Sequence, residues 1–140
     1  MDVAALIIWI VTALGGFYLL GTWIAKGGPR RDSPAPSRLP APVVFGHFLL
    51  AVGGLVLWII YVVVDVHALA WASLGVLVVV ATLGIVMFYR WVPGFRAPAA
   101  QGSAAPAEAH FPVAVVAAHG LVAVATLVLV ILAAAEVGSS

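Results

Sequence analysis

Hydrophobic residues fall along this chain in four long runs, each closed by a charged or turn-forming stretch. The first covers about 3–25 and carries no charge until Lys26; the second covers about 42–64 and ends at Asp65. The third, about 68–89, stops at Arg90, and the fourth, about 112–135, stops at Glu136. A bilayer core is about 30 Å thick, so a helix of about 20 apolar residues crosses it. Each run therefore predicts a spanning helix. Barrel strands are excluded because the runs are too long, and lipid offers no partner to unpaired backbone groups. Pro42 and Pro112 suit the first turn of a helix, where a missing N–H costs nothing. The three-residue turn Asp65–Val66–His67 makes the second and third helices antiparallel neighbours. The expected fold is an all-α integral membrane protein, a four-helix bundle forming a single membrane domain over 1–140.

The segments 26–41 and 90–111 differ in kind. They are rich in Pro, Arg, Ser, Ala and Gly, and read as extended connectors with no fold of their own. All six basic residues lie there: Lys26, Arg30, Arg31 and Arg38 in the first, Arg90 and Arg96 in the second. Both loops are therefore expected in the cytoplasm and both termini outside, in a multi-pass protein of the plasma membrane. The first run does not read as a cleaved signal peptide, because Asp2 precedes it and Lys26 follows it.

Composition narrows the function classes. Hydrophobic types make up 65% of the chain and charged types 8%, with a mean hydropathy of +1.23. Soluble domains run nearer 45–50% and 25%. A water-soluble enzyme, a nucleic-acid binder and a disordered chain are excluded, and the lipid bilayer is the expected surrounding. The absence of cysteine removes disulfides, thiolate metal sites, c-type haem attachment and cysteine nucleophiles.

An internal similarity relates the second and fourth runs. His47 opens HFLLAVGGLVLW and His119 opens HGLVAVATLVLV, which share Leu, Ala, Val and Leu-Val-Leu at the same offsets. The first and third runs match more weakly, through Leu14–Gly15 and Leu83–Gly84. Two related helical hairpins are the expected arrangement, with His47 and His119 level in depth. Both lie roughly 7–10 Å inside the helix end at 1.5 Å per residue.

Ionisable groups at such depth face a bundle interior or cavity and must satisfy their nitrogens. The pair suits b-type haem, whose iron takes one imidazole from each of two helices and serves electron transfer when six-coordinate. Gly15, Gly54 and Gly84 would admit a macrocycle, and Arg38 and Arg90 would neutralise its propionates. With a His on each of two helices, the chain resembles in outline the four-helix membrane cytochromes of b type; no further motif of theirs is present. A second His pair is absent, so one haem is the maximum.

Other readings use the same residues. Histidines near an interface also serve helix–helix hydrogen bonding, and glycines serve helix contact alone. Glu108, His110, His119 and His47 together would suit zinc or copper, although their spacing matches no metal motif. His67 beside Asp65 reads as a cap of the outer turn. No hydroxyl lies beside a base in a triad pattern, so a hydrolase-type triad has no support; enzyme activity as such stays open. Proton-coupled export lacks a carboxylate within any helix core. A cofactor-free accessory subunit of a larger membrane complex, or a homo-oligomer, remains the main alternative.

Overall fold

The computed structural model describes residues 1–96 and 104–135. Glu136, the expected stop of the last helix, lies outside the described residues. Four helices form: α1 (Asp2–Ala25), α2 (Ala41–Val64), α3 (His67–Arg96) and α4 (Val113–Ala134), with a single 3-10 turn at Ala107–His110 before α4. Each is long and apolar enough to cross a membrane. The chain is a multi-pass, all-α bundle, and its outward surface is rich in Val, Ile, Leu and Phe. That surface suits lipid, which imposes no penalty on apolar groups.

The helix boundaries follow from local chemistry. Asp2 places a carboxylate in the first turn of α1, where the helix dipole favours it. Pro40 and Pro112 stand immediately before α2 and α4, and each lends its carbonyl to the first two helical N–H groups beyond the turn. Asp65 ends α2 in the left-handed region at φ 55°, with its N–H bonded to the Tyr61 carbonyl. Asp tolerates this conformation better than most residues because its short side chain bonds locally.

The largest departure from expectation is in α3, which runs to Arg96 rather than stopping before Arg90. Charge ends the bilayer-crossing part of a helix, not the helix itself. Pro93 sits in the last turn, where it removes one hydrogen bond rather than breaking a long ladder. Trp91 and Phe95, four residues apart, stack there with ring centres 5.1 Å apart.

Around the bundle the order is α1, α2, α3, α4. The tightest pairings are α2 with α3 and α1 with α4, while α2 and α4 face each other across a diagonal without touching along their backbones. The core has two parts. Near the short Asp65 turn, Trp9, Trp58 and Tyr61 pack with Ala5, Ala70, Val130, Ala133 and Ala134. The Trp58 indole is fully buried, and its N–H donates to the Asp2 carbonyl. Ser73 donates across to the Gly54 carbonyl rather than to its own preceding turn, tying α3 to α2. Thr12, Thr82 and Thr126 do bond the carbonyl one turn back.

The second part sits at the opposite, basic end, and it corrects the expectation of unfolded loops. Trp23, Leu39, Val44 and Ala107 are buried together, with Phe111 and Met87 beside them. At their centre is Glu108, with none of its surface exposed. Its carboxylate accepts from the Ser37 hydroxyl at 2.7 Å and the Arg38 N–H at 2.6 Å. The Trp23 indole N–H donates to Ser37 and the Trp91 indole N–H to the Glu108 carbonyl. Arg90 Nε donates to the Arg38 carbonyl at 2.6 Å. The described parts of two Pro-rich segments thus form a folded cap. A buried carboxylate is costly unless its oxygens are bonded, and here both are.

Glu108→Ala would leave the Ser37 hydroxyl and the Arg38 N–H without their acceptor. We expect a loss of about 2–3 kcal/mol, read as a lower melting temperature in detergent. Glu108→Gln, which keeps one acceptor oxygen, should lose less; equal melting of wild type and Glu108→Ala would show that the cap adds no stability.

Candidate functional site

Between the two core regions lie two histidines that the helices hold within the described bundle, His47 and His119. Each is the seventh residue of its helix, counted from Ala41 in α2 and from Val113 in α4. The two rings meet across the α2–α4 diagonal with centres 6.5 Å apart and planes inclined by 68°. Both are partly buried.

Each ring is held the same way. His47 Nδ1 bonds the Val80 carbonyl of α3 at 2.9 Å, and His119 Nδ1 bonds the Thr12 carbonyl of α1 at 3.0 Å. A carbonyl only accepts, so Nδ1 is the protonated nitrogen in both. In a neutral imidazole that leaves Nε2, at the far tip of the ring, with a free lone pair.

Why those carbonyls can be reached is visible in the spacing. Gly84 stands four residues beyond Val80, and Gly16 four beyond Thr12. In a helix each side chain leans back over the turn before its own Cα. A side chain at either position would cover the carbonyl that the imidazole uses. A Cβ at Gly84 would lie 3.3 Å from His47 Cε1, and one at Gly16 would lie 3.2 Å from His119 Cε1. Gly15 completes the seat, its Cβ position being 3.3 Å from His119 Nδ1. Beyond this seat, Thr12 and Thr126 share a hydroxyl contact of 2.9 Å that pins α1 to α4.

Of the expected site residues, His47, His119, Gly15 and Gly84 come together. Gly54 does not join them; it makes room for Trp9, whose ring would lie 3.1 Å from a Cβ there, and for Val76. Arg38 and Arg90 are exposed at the basic end and linked through the cap. Glu108 is committed to Ser37 and Arg38, and exposed His110 bonds the Ala107 carbonyl, so neither approaches the pair as a ligand. Among the described residues no cluster of three or more His, Asp or Glu side chains gathers to hold a bare metal ion. His67 accepts from the Trp71 indole N–H at the other end of the bundle. Trp23 and Trp91 are buried in the cap, whereas Trp71 is exposed.

Sequence reasoning missed the Thr12 and Val80 carbonyls altogether. The available signal was the matched four-residue spacing, Thr12 to Gly16 and Val80 to Gly84. Comparison with protein-family models, with curated proteins and with solved structures finds no match to this chain.

Replacing Gly84 by Val should cover the Val80 carbonyl and displace the His47 ring. In cofactor-free protein we expect wild-type histidine ¹⁵N spectra at neutral pH to show protonated Nδ1 and bare Nε2 for both rings. Gly84→Val should disturb that pattern for His47 alone, and Gly16→Val for His119 alone. Wild-type rings protonated at Nε2 would overturn the assignment.

Proposed function

We propose that this protein binds one b-type haem between α2 and α4, with His47 and His119 as its two iron ligands, and carries single electrons within or across the membrane. The observation behind this reading is the separation of the two rings together with the tethering of both Nδ1 atoms. A metal–imidazole bond is about 2.0 Å long. A ring centre lies about 1.1 Å behind its nitrogen, given C–N bonds of about 1.33 Å. Two imidazoles sharing one metal on a straight axis therefore have centres about 6.2 Å apart. The 6.5 Å in this bundle is close to that value.

The hydrogen bonds support the same reading. A ligating histidine holds its second nitrogen with a backbone carbonyl or carboxylate, which fixes the tautomer and the ring orientation. Val80 and Thr12 supply that hold. Held by His47 and His119, haem iron would supply reversible one-electron chemistry. Gly15, Gly16 and Gly84 keep α1 and α3 free of side chains beside the rings. Arg90 lies six residues beyond Gly84 toward the basic end, and Arg38 just before α2; their guanidinium groups would pair with propionates.

The bundle also suits two related hairpins, α1–α2 and α3–α4. Exchanging them carries the His119, Thr12 and Gly16 trio onto His47, Val80 and Gly84, and it exchanges the two tightest helix pairings. The clustering of all basic residues at one end supports an orientation with that end in the cytoplasm and both termini outside, in the plasma membrane.

The test is an optical spectrum of protein purified from haem-replete cells. We expect reduced-minus-oxidised Soret and alpha bands of a low-spin, six-coordinate haem. His119→Ala and His47→Ala should each abolish or greatly alter those bands while the variants stay helical and membrane-inserted. A colourless wild type would refute the haem reading and leave an accessory subunit of a larger membrane complex. An unchanged spectrum in either variant would refute that ligand.

A further inference from the structure

Just beyond the last residue of α1, the first loop folds back on itself and borders an open hollow of about 670 Å³. Its lining includes Lys26, Gly27, Arg30, Asp32 and Ser33. The wall is built rather than loose. Gly27 adopts φ 80°, and the Gly27 N–H bonds the Ile24 carbonyl while the Gly28 N–H bonds the Trp23 carbonyl. This is the glycine-terminated closure that satisfies the final carbonyls of a helix. The Thr22, Trp23 and Ile24 carbonyls at this helix end are therefore already occupied.

The same turn returns the chain toward α1. The Arg30 N–H bonds the Gly27 carbonyl, and Arg30 Cδ would lie 3.5 Å from a Cβ on Gly27. Gly28 lies flat against the Trp23 ring, with no space for a Cβ. Trp23 is itself tied to Ser37 in the cap. Ser33 uses its hydroxyl on the backbone of Ala35, so it shapes the loop rather than offering a free donor. Two cations and one carboxylate thus border a fixed concavity of net positive charge.

Its depth matters as much as its charge. The apolar run of α1 ends at Ala25, so Lys26 begins where the hydrocarbon gives way to headgroups. We infer that this cavity seats the phosphate of an anionic phospholipid, with Lys26 and Arg30 as its cationic partners. Arg30 presents a planar fork to the phosphate oxygens, and Lys26 adds a compact charge beside the bilayer surface. Basic pockets at this level select anionic headgroups, each cation contributing roughly a fivefold preference. The site is separate from the histidine pair and does not depend on what that pair binds.

The experiment is native mass spectrometry of the full chain, released from mixed vesicles of phosphatidylglycerol and phosphatidylcholine with identical tails. Wild type should retain phosphatidylglycerol over phosphatidylcholine by roughly fivefold or more. Lys26→Gln with Arg30→Gln should bring the two lipids to parity, while Lys26→Arg with Arg30→Lys should keep most of the preference. Circular dichroism should show all forms equally helical. Equal retention of both lipids by wild type, or an undiminished preference in the double Gln variant, would overturn the site. Displacement of the bound lipid by millimolar inorganic phosphate would overturn the lipid assignment in favour of a soluble phosphate.

Discussion

The bundle is organised around two hydrogen bonds, each from an imidazole to a backbone carbonyl of a neighbouring helix. A helical carbonyl is already bonded within its own helix, and the next turn's side chain usually shields its second lone pair. Glycine at the fourth position beyond removes that shield at Thr12 and Val80, and an imidazole from a neighbouring helix occupies the opening. Each bond solves two problems at once. It satisfies a polar nitrogen where no water is available, and it sets which nitrogen remains free. Without those glycines the rings would need other partners, and the approach of α1 to α4 and of α3 to α2 would have to widen.

The rest of the architecture keeps those contacts in register. At one end, indole and phenol rings pack against alanines that let the helices close in. At the other, a buried carboxylate gathers two connectors and two tryptophans into a cap. The pair of histidines lies between a rigid aromatic floor and a polar roof. Side chains so placed have few alternative rotamers, which is the condition for a site whose geometry is set before any ligand arrives.

The four helices were legible because bilayer thickness imposes length and apolarity directly on sequence. The histidine pair was legible because an ionisable residue among Val and Leu has few uses. What the chain did not disclose was held by backbone groups and by context. The acceptors of both histidines are carbonyls of Thr12 and Val80, and a carbonyl has no residue signature. Glu108 stands in a stretch of Ala and Pro that has the composition of a linker, and only its burial against Ser37 and Trp91 reveals a fold. Arg90 marked where the apolar run ends, yet α3 continues because a helix in contact with a cap needs no lipid around it. Gly54 carried the same small-residue signal as Gly84, but faces Trp9 rather than an imidazole.

The pairing of α1 with α4 has a consequence for how the protein is made. Of the four helices, the first to be synthesised packs most closely with the fourth, and no short connection joins them. Until α4 enters the bilayer, the glycine face of α1 has lipid in place of an imidazole, and the ring of His47 has no counterpart across the diagonal. The hairpin of α2 and α3 can assemble as it emerges, but the interior is complete only when α4 has joined it. A chain released early would therefore carry every feature of the first three helices and still lack an assembled centre.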